Sequence, residues 1–139
     1  MKQHRAFTLI ELLVVIAIIG VLSSVVLASL NTARAKARDA KRVSDLSQIQ
    51  LALEMYYNEH DSYPAQSSDT TVANSLGSLV PQNIPVLPTD PTYTGSSGYR
   101  YTQSAGYYTL LAHLERTNNW CHITNGGNVS SWNTAYPAC

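Results

Sequence analysis

Apolar residues fill the chain from Phe7 to Leu30 almost without interruption. A segment apolar on every side must be buried in lipid or in a bundle of its own kind. About 20 such residues suffice to cross a bilayer. Beyond Leu30 the pattern opens out: Ala33, Ala37, Ala40, Val43, Leu46, Ile49, Leu53 and Tyr56 recur at steps of three and four, the signature of an amphipathic helix. No proline precedes Pro64, and Gly20 is the only glycine before Gly77. The two patterns together predict one helix from Phe7 to about Asn58, stopped by the Asn58–Pro64 stretch. About 52 residues at 1.5 Å each make a rod of roughly 78 Å, far longer than a bilayer needs. Its second half must pack in water, and the rest of the chain is the available partner.

That remainder reads as short elements. Thr70 to Val80 predicts a helix capped by Asp69 or Thr70, with Val72, Leu76 and Leu79 on one face. Proline bars Ile84–Pro91 from being a central strand. Tyr99–Thr102 and Tyr107–Leu114 predict a hairpin turned at Gln103–Gly106. Tyr108, Leu110, Ala112 and Leu114 share a face suited to cover the helix stripe. His122–Thr124 and Asn128–Ser130 suggest a second hairpin around Asn125-Gly126-Gly127. The expected class is α+β, a long helix packed against a small antiparallel sheet.

Glu11 is the only charge between Phe7 and Leu30. An acid in hydrocarbon costs roughly 2–3 kcal/mol even on lenient scales, which marks it as functional. Before it runs a short basic leader, Met1-Lys2-Gln3-His4-Arg5-Ala6, followed by Phe7-Thr8-Leu9-Ile10-Glu11. An ordinary secretory signal places its small-residue cleavage site after the apolar stretch; here Ala6 precedes it. This arrangement resembles the prepilin signal of type IV pilins and type II secretion pseudopilins. Leu87-Pro88-Thr89-Asp90-Pro91 is similar to the segment that enters the sheet in major pseudopilins.

The resemblance implies a pilin fold and four stretches: leader 1–6, transmembrane and filament-core helix 7–30, amphipathic continuation 31–60, and extracytoplasmic domain 61–139. It implies cleavage between Ala6 and Phe7 by a prepilin peptidase, with methylation of the new Phe7 terminus. The family usually has glycine where Ala6 stands. It also implies that Glu11 meets the Phe7 amine of a neighbouring copy during assembly, a pairing strong in low dielectric. The implied partners are further copies in a helical filament, an assembly ATPase, membrane platform proteins and the membrane itself. The implied location is the cytoplasmic membrane, N-terminus inside, and afterwards a filament outside it. Five basic residues follow the span and two precede it, so a positive-inside count alone would reverse that orientation; the specific leader is preferred over the general count.

Composition adds less. Side chains balance at nine basic and nine acidic, and losing Lys2 and Arg5 leaves an acidic excess of two. Nothing there marks a general polyanion binder. The C-terminal half is rich in Ser, Thr, Asn, Gly and Tyr, like an extracytoplasmic surface. Arg34, Lys36, Arg38, Lys41 and Arg42 cluster beyond the span. They read either as nucleic-acid or headgroup contacts or, preferably, as a solvated face steadied by Asp39 and Asp45. Cys121 and Cys139, in a chain carrying an export signal, are expected to form a disulfide. The alternative metal site with His113 and His122 lacks CxxC or HxxxH spacing. Trp120, Trp132 and Tyr136 either pack on that disulfide or form an adhesive patch. Asn128-Val129-Ser130 fits a glycosylation sequon by pattern alone. No acid follows Glu115, so the calcium loop of major pseudopilins is not carried over. No cofactor and no catalytic constellation is expected. The reading is a filament subunit, with a minor or competence pilin that binds DNA or a surface as the alternative.

Overall fold

Helix α1 runs from Leu9 to His60 in the computed structural model, which describes residues 8–66, 70–95, 98–126 and 137–139. The chain divides into two compact units, Met1–Ala35 and Lys36–Cys139.

In the first unit the large apolar side chains of α1 are exposed all round, from Leu9 at 78% to Leu30 at 40%. Such a helix is long and apolar enough to cross a membrane. Two of its hydroxyls bond back to the helix: Ser24 donates to the Val21 carbonyl and Thr32 to that of Ala28.

In the second unit α1 buries Leu46, Ile49, Ala52 and Leu53. The start of the expected stripe is not buried. Ala37 and Ala40 face outward, and the inward positions are Asp39, Arg42 and Asp45. The buried face therefore begins with charges and turns apolar only at Leu46. The helix ends where Asp61 takes a left-handed conformation, φ 51°, its N–H donating to the Tyr57 carbonyl at 2.8 Å. Asp tolerates that region better than most side chains.

The helix expected over Thr70–Val80 is three pieces. Thr70–Thr71 is strand β1, Val72–Ser75 a single turn α2, and Gly77–Leu79 a 3-10 turn. Val72, Leu76 and Leu79 are nonetheless all buried. The apolar spacing was right about the face and wrong about continuity, because Thr70 and Thr71 are taken by the sheet edge. The cap of α2 is Thr71, not Thr70, and it makes no side-chain capping bond; Asp69 lies outside the described residues.

The sheet is antiparallel in the order β1, β2 (Arg100–Ser104), β3 (Tyr107–Leu114), β4 (Asn119–Thr124). Ser104 pairs with Tyr107, so the β2–β3 turn is only Ala105–Gly106. Both have positive φ, 53° and 82°, as a two-residue turn matched to strand twist requires. Strand β4 contains His122–Thr124 but pairs with β3, from Leu114↔Asn119 to Thr109↔Thr124. The second hairpin's return strand, Asn128–Ser130, falls outside the described residues. On the far side of β4, Ala138 bridges His122 in parallel.

Between α1 and the sheet lies a core of Leu46, Ile49, Leu53, Leu76, Leu79, Leu110 and Ala112 together with four tyrosines, Tyr63, Tyr99, Tyr101 and Tyr108. The Tyr-rich composition is thus partly interior rather than surface. Each of those hydroxyls has a partner, which removes the penalty of burying a polar tip. Tyr99 donates to Asp45 at 2.7 Å, Tyr101 to the Pro64 carbonyl at 2.8 Å, and Tyr63 and Tyr108 to the two oxygens of Glu54. Burial first, and for Tyr99 then the Asp45 carboxylate, pushes the Tyr99, Tyr101 and Tyr108 hydroxyls well above the usual phenol range.

Candidate functional site

Two polar sites stand out, one in each unit. In the first, Thr8 precedes α1 and Glu11 sits in its first turn. The Thr8 N–H and hydroxyl both donate to Glu11 Oε2 at 2.8 Å, while the Glu11 N–H donates back to Thr8 Oγ1 at 3.2 Å. This reciprocal pattern is a capping box, which satisfies donors that a helix start leaves open. Both Thr8 bonds land on one oxygen. Oε1 of Glu11 accepts no hydrogen bond among the described residues. The carboxylate can therefore hold the cap and still offer an oxygen to a cation. Ala6 and Phe7, the residues expected at the cut, lie outside the described residues.

The second site centres on Arg42, whose side chain is 0% exposed. Its Nε donates to Asp90 Oδ2 at 2.8 Å and its NH2 to Asp90 Oδ1 at 3.1 Å, a two-pronged pair. Its NH1 donates to Asp39 Oδ1 at 2.8 Å and its NH2 to Glu115 Oε1 at 2.7 Å. Its guanidinium also lies 5.1 Å from the centre of the Tyr93 ring, within cation–π range. Arg38 grips Glu115 with Nε at 2.8 Å and NH2 at 2.6 Å.

The acids are held in turn by backbone. Asp39 accepts the N–H groups of Glu115 and Arg116 at 2.9 and 3.1 Å. Asp90 Oδ1 accepts those of Thr92 and Tyr93 at 2.9 and 2.8 Å, closing a turn of the kind Asp favours around proline. The cluster thereby ties the loop around Asp90 and the β3–β4 turn to α1. Burial alone would lower the Arg42 pKa, but the bonds to Asp90 and Glu115 outweigh it and raise it. Burial also works to raise Asp90, yet Arg42 and the two amides leave it below the usual carboxylate range. Glu115 is drawn down to about 2, first by the Arg38 hydrogen bond and then by Arg42.

This arrangement corrects the solvated-face reading of the basic cluster. Lys41 does pair with Asp45, four residues on, and Arg42 with Asp39. Arg42 is interior, however, because two carboxylates far along the chain reach it. Arg34 and Lys36 remain exposed, without an ion pair among the described residues.

Cys121 and Cys139 form a disulfide, and the flanking His122 exchanges backbone bonds with Pro137 and Cys139 at 3.1 and 3.0 Å. Both sulfurs are therefore engaged and unavailable to the alternative metal site. The Trp120 and His113 rings stand nearly perpendicular with centres 5.4 Å apart, and the Arg100 guanidinium lies 5.9 Å from the centre of the Trp120 ring. Adjacent strand residues point to opposite faces, which sets it apart from Cys121. Trp132 and Tyr136 are outside the described residues.

Comparison with known proteins gives the family. The profile for a prokaryotic N-terminal methylation motif matches residues 1–27. The type IV wide pilus major component PilA4 of Thermus thermophilus is 32% identical over 135 residues, covering 97% of this chain and 92% of that protein. The chain belongs to the type IV pilin and type II secretion pseudopilin family. Type II secretion system core protein G of Klebsiella pneumoniae is 38% identical over 99 residues, 66% of this chain and 71% of that protein. Its counterpart in Dickeya chrysanthemi is 37% identical over 98 residues, 70% of this chain but 59% of that protein. The pilin-family chain thus spans about three fifths of the length of that Dickeya relative. No solved structure matches it significantly.

Sequence reasoning for this pilin-family chain singled out Glu11 but missed Thr8, although Thr-x-x-Glu before an apolar run is a capping-box signature. It noted Asp90 only within a motif, and its bond to Arg42 has no local signal.

Proposed function

We propose that the chain is a structural, non-catalytic subunit of a helical filament of the type IV pilus or type II secretion pseudopilus kind. Residues 7–30 hold it in the cytoplasmic membrane, N-terminus inside, until assembly, and then form the filament core. A prepilin peptidase cuts between Ala6 and Phe7 and methylates Phe7. An assembly ATPase and membrane platform proteins then drive polymerisation. The observation that carries the reading is a helix exposed and apolar on every side from Leu9 to Leu30 whose single carboxylate keeps one oxygen open. Exposure of that kind is stable only in lipid or among other such helices. The open Oε1 suits the Phe7 ammonium of a neighbour, a contact strong in low dielectric.

The test separates pairing from capping. Glu11→Ala should leave membrane insertion intact and abolish or sharply reduce filaments. Thr8→Val removes only the cap, about 1 kcal/mol, and should still assemble. Wild-type filament numbers from Glu11→Ala cells at equal subunit levels would refute the pairing. Mass spectrometry of sheared filaments should find chains that begin at a methylated Phe7; an intact Met1 would refute the processing.

A further inference from the structure

Within the second unit, ion pairing uses up charges unevenly. Arg38, Lys41 and Arg42 are matched by Asp39, Asp45, Asp90 and Glu115, and Glu54 holds two tyrosine hydroxyls. Among the described residues, the exposed charges of α1 left over in this unit lie at its two ends. Lys36 stands at the start, and exposed Arg116 lies on the turn whose backbone N–H groups bond Asp39. Glu59 stands at the end, followed by Asp61. The 23 residue steps from Lys36 to Glu59 span about 35 Å of helix axis.

Between those ends α1 carries a second stripe, opposite the one facing the core. Ala37, Ala40, Ser44, Leu51 and Met55 recur at steps of three, four and seven, so they share a face. All are exposed, Leu51 at 64% and Met55 at 42%. Small residues at its start allow another backbone to approach closely, while Leu51 and Met55 offer apolar anchors beyond them.

We propose that this outward face seats a second copy of the chain displaced along the helix axis, the Lys36 end of one copy meeting the Glu59–Asp61 end of the next. The proposal rests on the filament reading and adds to it a surface and a register. A contact between two different ends of the same surface is heterologous, and repeated it builds an open helical assembly rather than a closed dimer. Peripheral charges of opposite sign set the register of such a contact, and like charges brought together oppose it.

The experiment is a charge swap in the full-length chain, in cells that carry its assembly machinery. Lys36→Glu alone and Glu59→Lys alone should each cut sheared filament yield about tenfold at equal subunit levels. The doubly substituted chain, with the charges exchanged, should recover to within about twofold of wild type. Among the described residues neither side chain bonds within its own domain, so the Cys121–Cys139 disulfide should form in every variant, as a non-reducing gel will report. Single variants that assemble like wild type, or a double variant as defective as the singles, would overturn the register while leaving the filament reading standing. A defect from Lys36→Glu but none from Glu59→Lys would also overturn it, pointing instead to an anionic headgroup as the partner of Lys36. Absence of filaments from the unaltered chain would overturn the filament reading itself, and this proposal with it.

Discussion

Replacing Arg42 by Met keeps most of the buried stem and deletes the guanidinium. Asp90, whose side chain is 0% exposed like that of Arg42, loses its only cation among the described residues, and Asp39 loses its bond to NH1. Glu115 keeps Arg38. Breaking a buried pair by removing one partner costs about 3–5 kcal/mol, because the remaining charge stays buried. A domain of this size has a total stability of roughly 5–15 kcal/mol. Each kcal/mol is worth about 4–8 °C in Tm at this length, so the predicted fall is at least about 12 °C. Near-UV circular dichroism of the full chain in detergent is the assay, since four buried tyrosines report on the domain while α1 dominates the far-UV signal. Asp90→Asn should cost less, as Arg42 retains Asp39 and Glu115. Combining Arg42→Met with Asp90→Asn should cost less than the sum, because no full charge is then stranded at position 90. An Arg42→Met protein melting within about 3 °C of wild type, or a double variant with strictly additive loss, would refute the reasoning.

Two further outcomes follow from the same domain. Glu115 is held near 2 in the folded chain, below its unfolded value of about 4.3. Its contribution to stability is therefore complete above about pH 4.5 and is lost as pH falls toward 2, because the unfolded chain binds the extra proton; Tm measured from pH 6 to pH 2.5 should fall, and Glu115→Gln should flatten that decline. Reducing Cys121–Cys139 frees a loop of 18 residues, which the loop-entropy relation values at about 3 kcal/mol; the reduced protein should melt at least about 12 °C lower by the same near-UV assay, and an unchanged Tm would mean that the chain end is held by its other contacts.

The parts of this fold visible in the sequence were those that depend on local spacing. The length of α1, the β2–β3 hairpin and the buried face of β3 all follow from periods of 3.6 and 2. The Arg42 cluster was hidden for a different reason. Asp39 three residues from Arg42 was readable as a helix pair, but Asp90 and Glu115 lie 48 and 73 residues away, and spacing carries no information at that range. Reading periodicity from apolar residues alone then placed Ala37 and Ala40 inward, when the true inward positions are charged. Tyrosine misled similarly. A ring that buries its body and bonds its tip is as much interior as surface, and only Asp45, Glu54 and the Pro64 carbonyl decide which. Around Asp90, the prolines at 88 and 91 correctly excluded a strand, but nothing in them foretold the carboxylate's partner.

The charged start of the buried face also resolves a problem that a continuous apolar stripe would create. A helix that ran apolar from Phe7 to Tyr56 would offer far more than the 20 or so residues a bilayer accepts, and a mismatched segment slides, tilts or kinks rather than stopping at a fixed depth. Asn31 to Asp45 contains seven charges and ends the apolar segment sharply. Those same positions must nevertheless face a protein interior, because α1 continues into the core at Leu46 and Ile49. Ion pairing reconciles the two demands. Asp39 and Arg42 remain too polar for hydrocarbon, yet inside the domain each finds its complement in the other, in Asp90 and in the β3–β4 turn. An apolar replacement of the whole cluster could leave the isolated domain as stable, since buried ion pairs rarely outperform good hydrophobic packing. It would erase the boundary that tells the apolar segment from the domain. The cluster's value lies in that distinction more than in its contribution to stability.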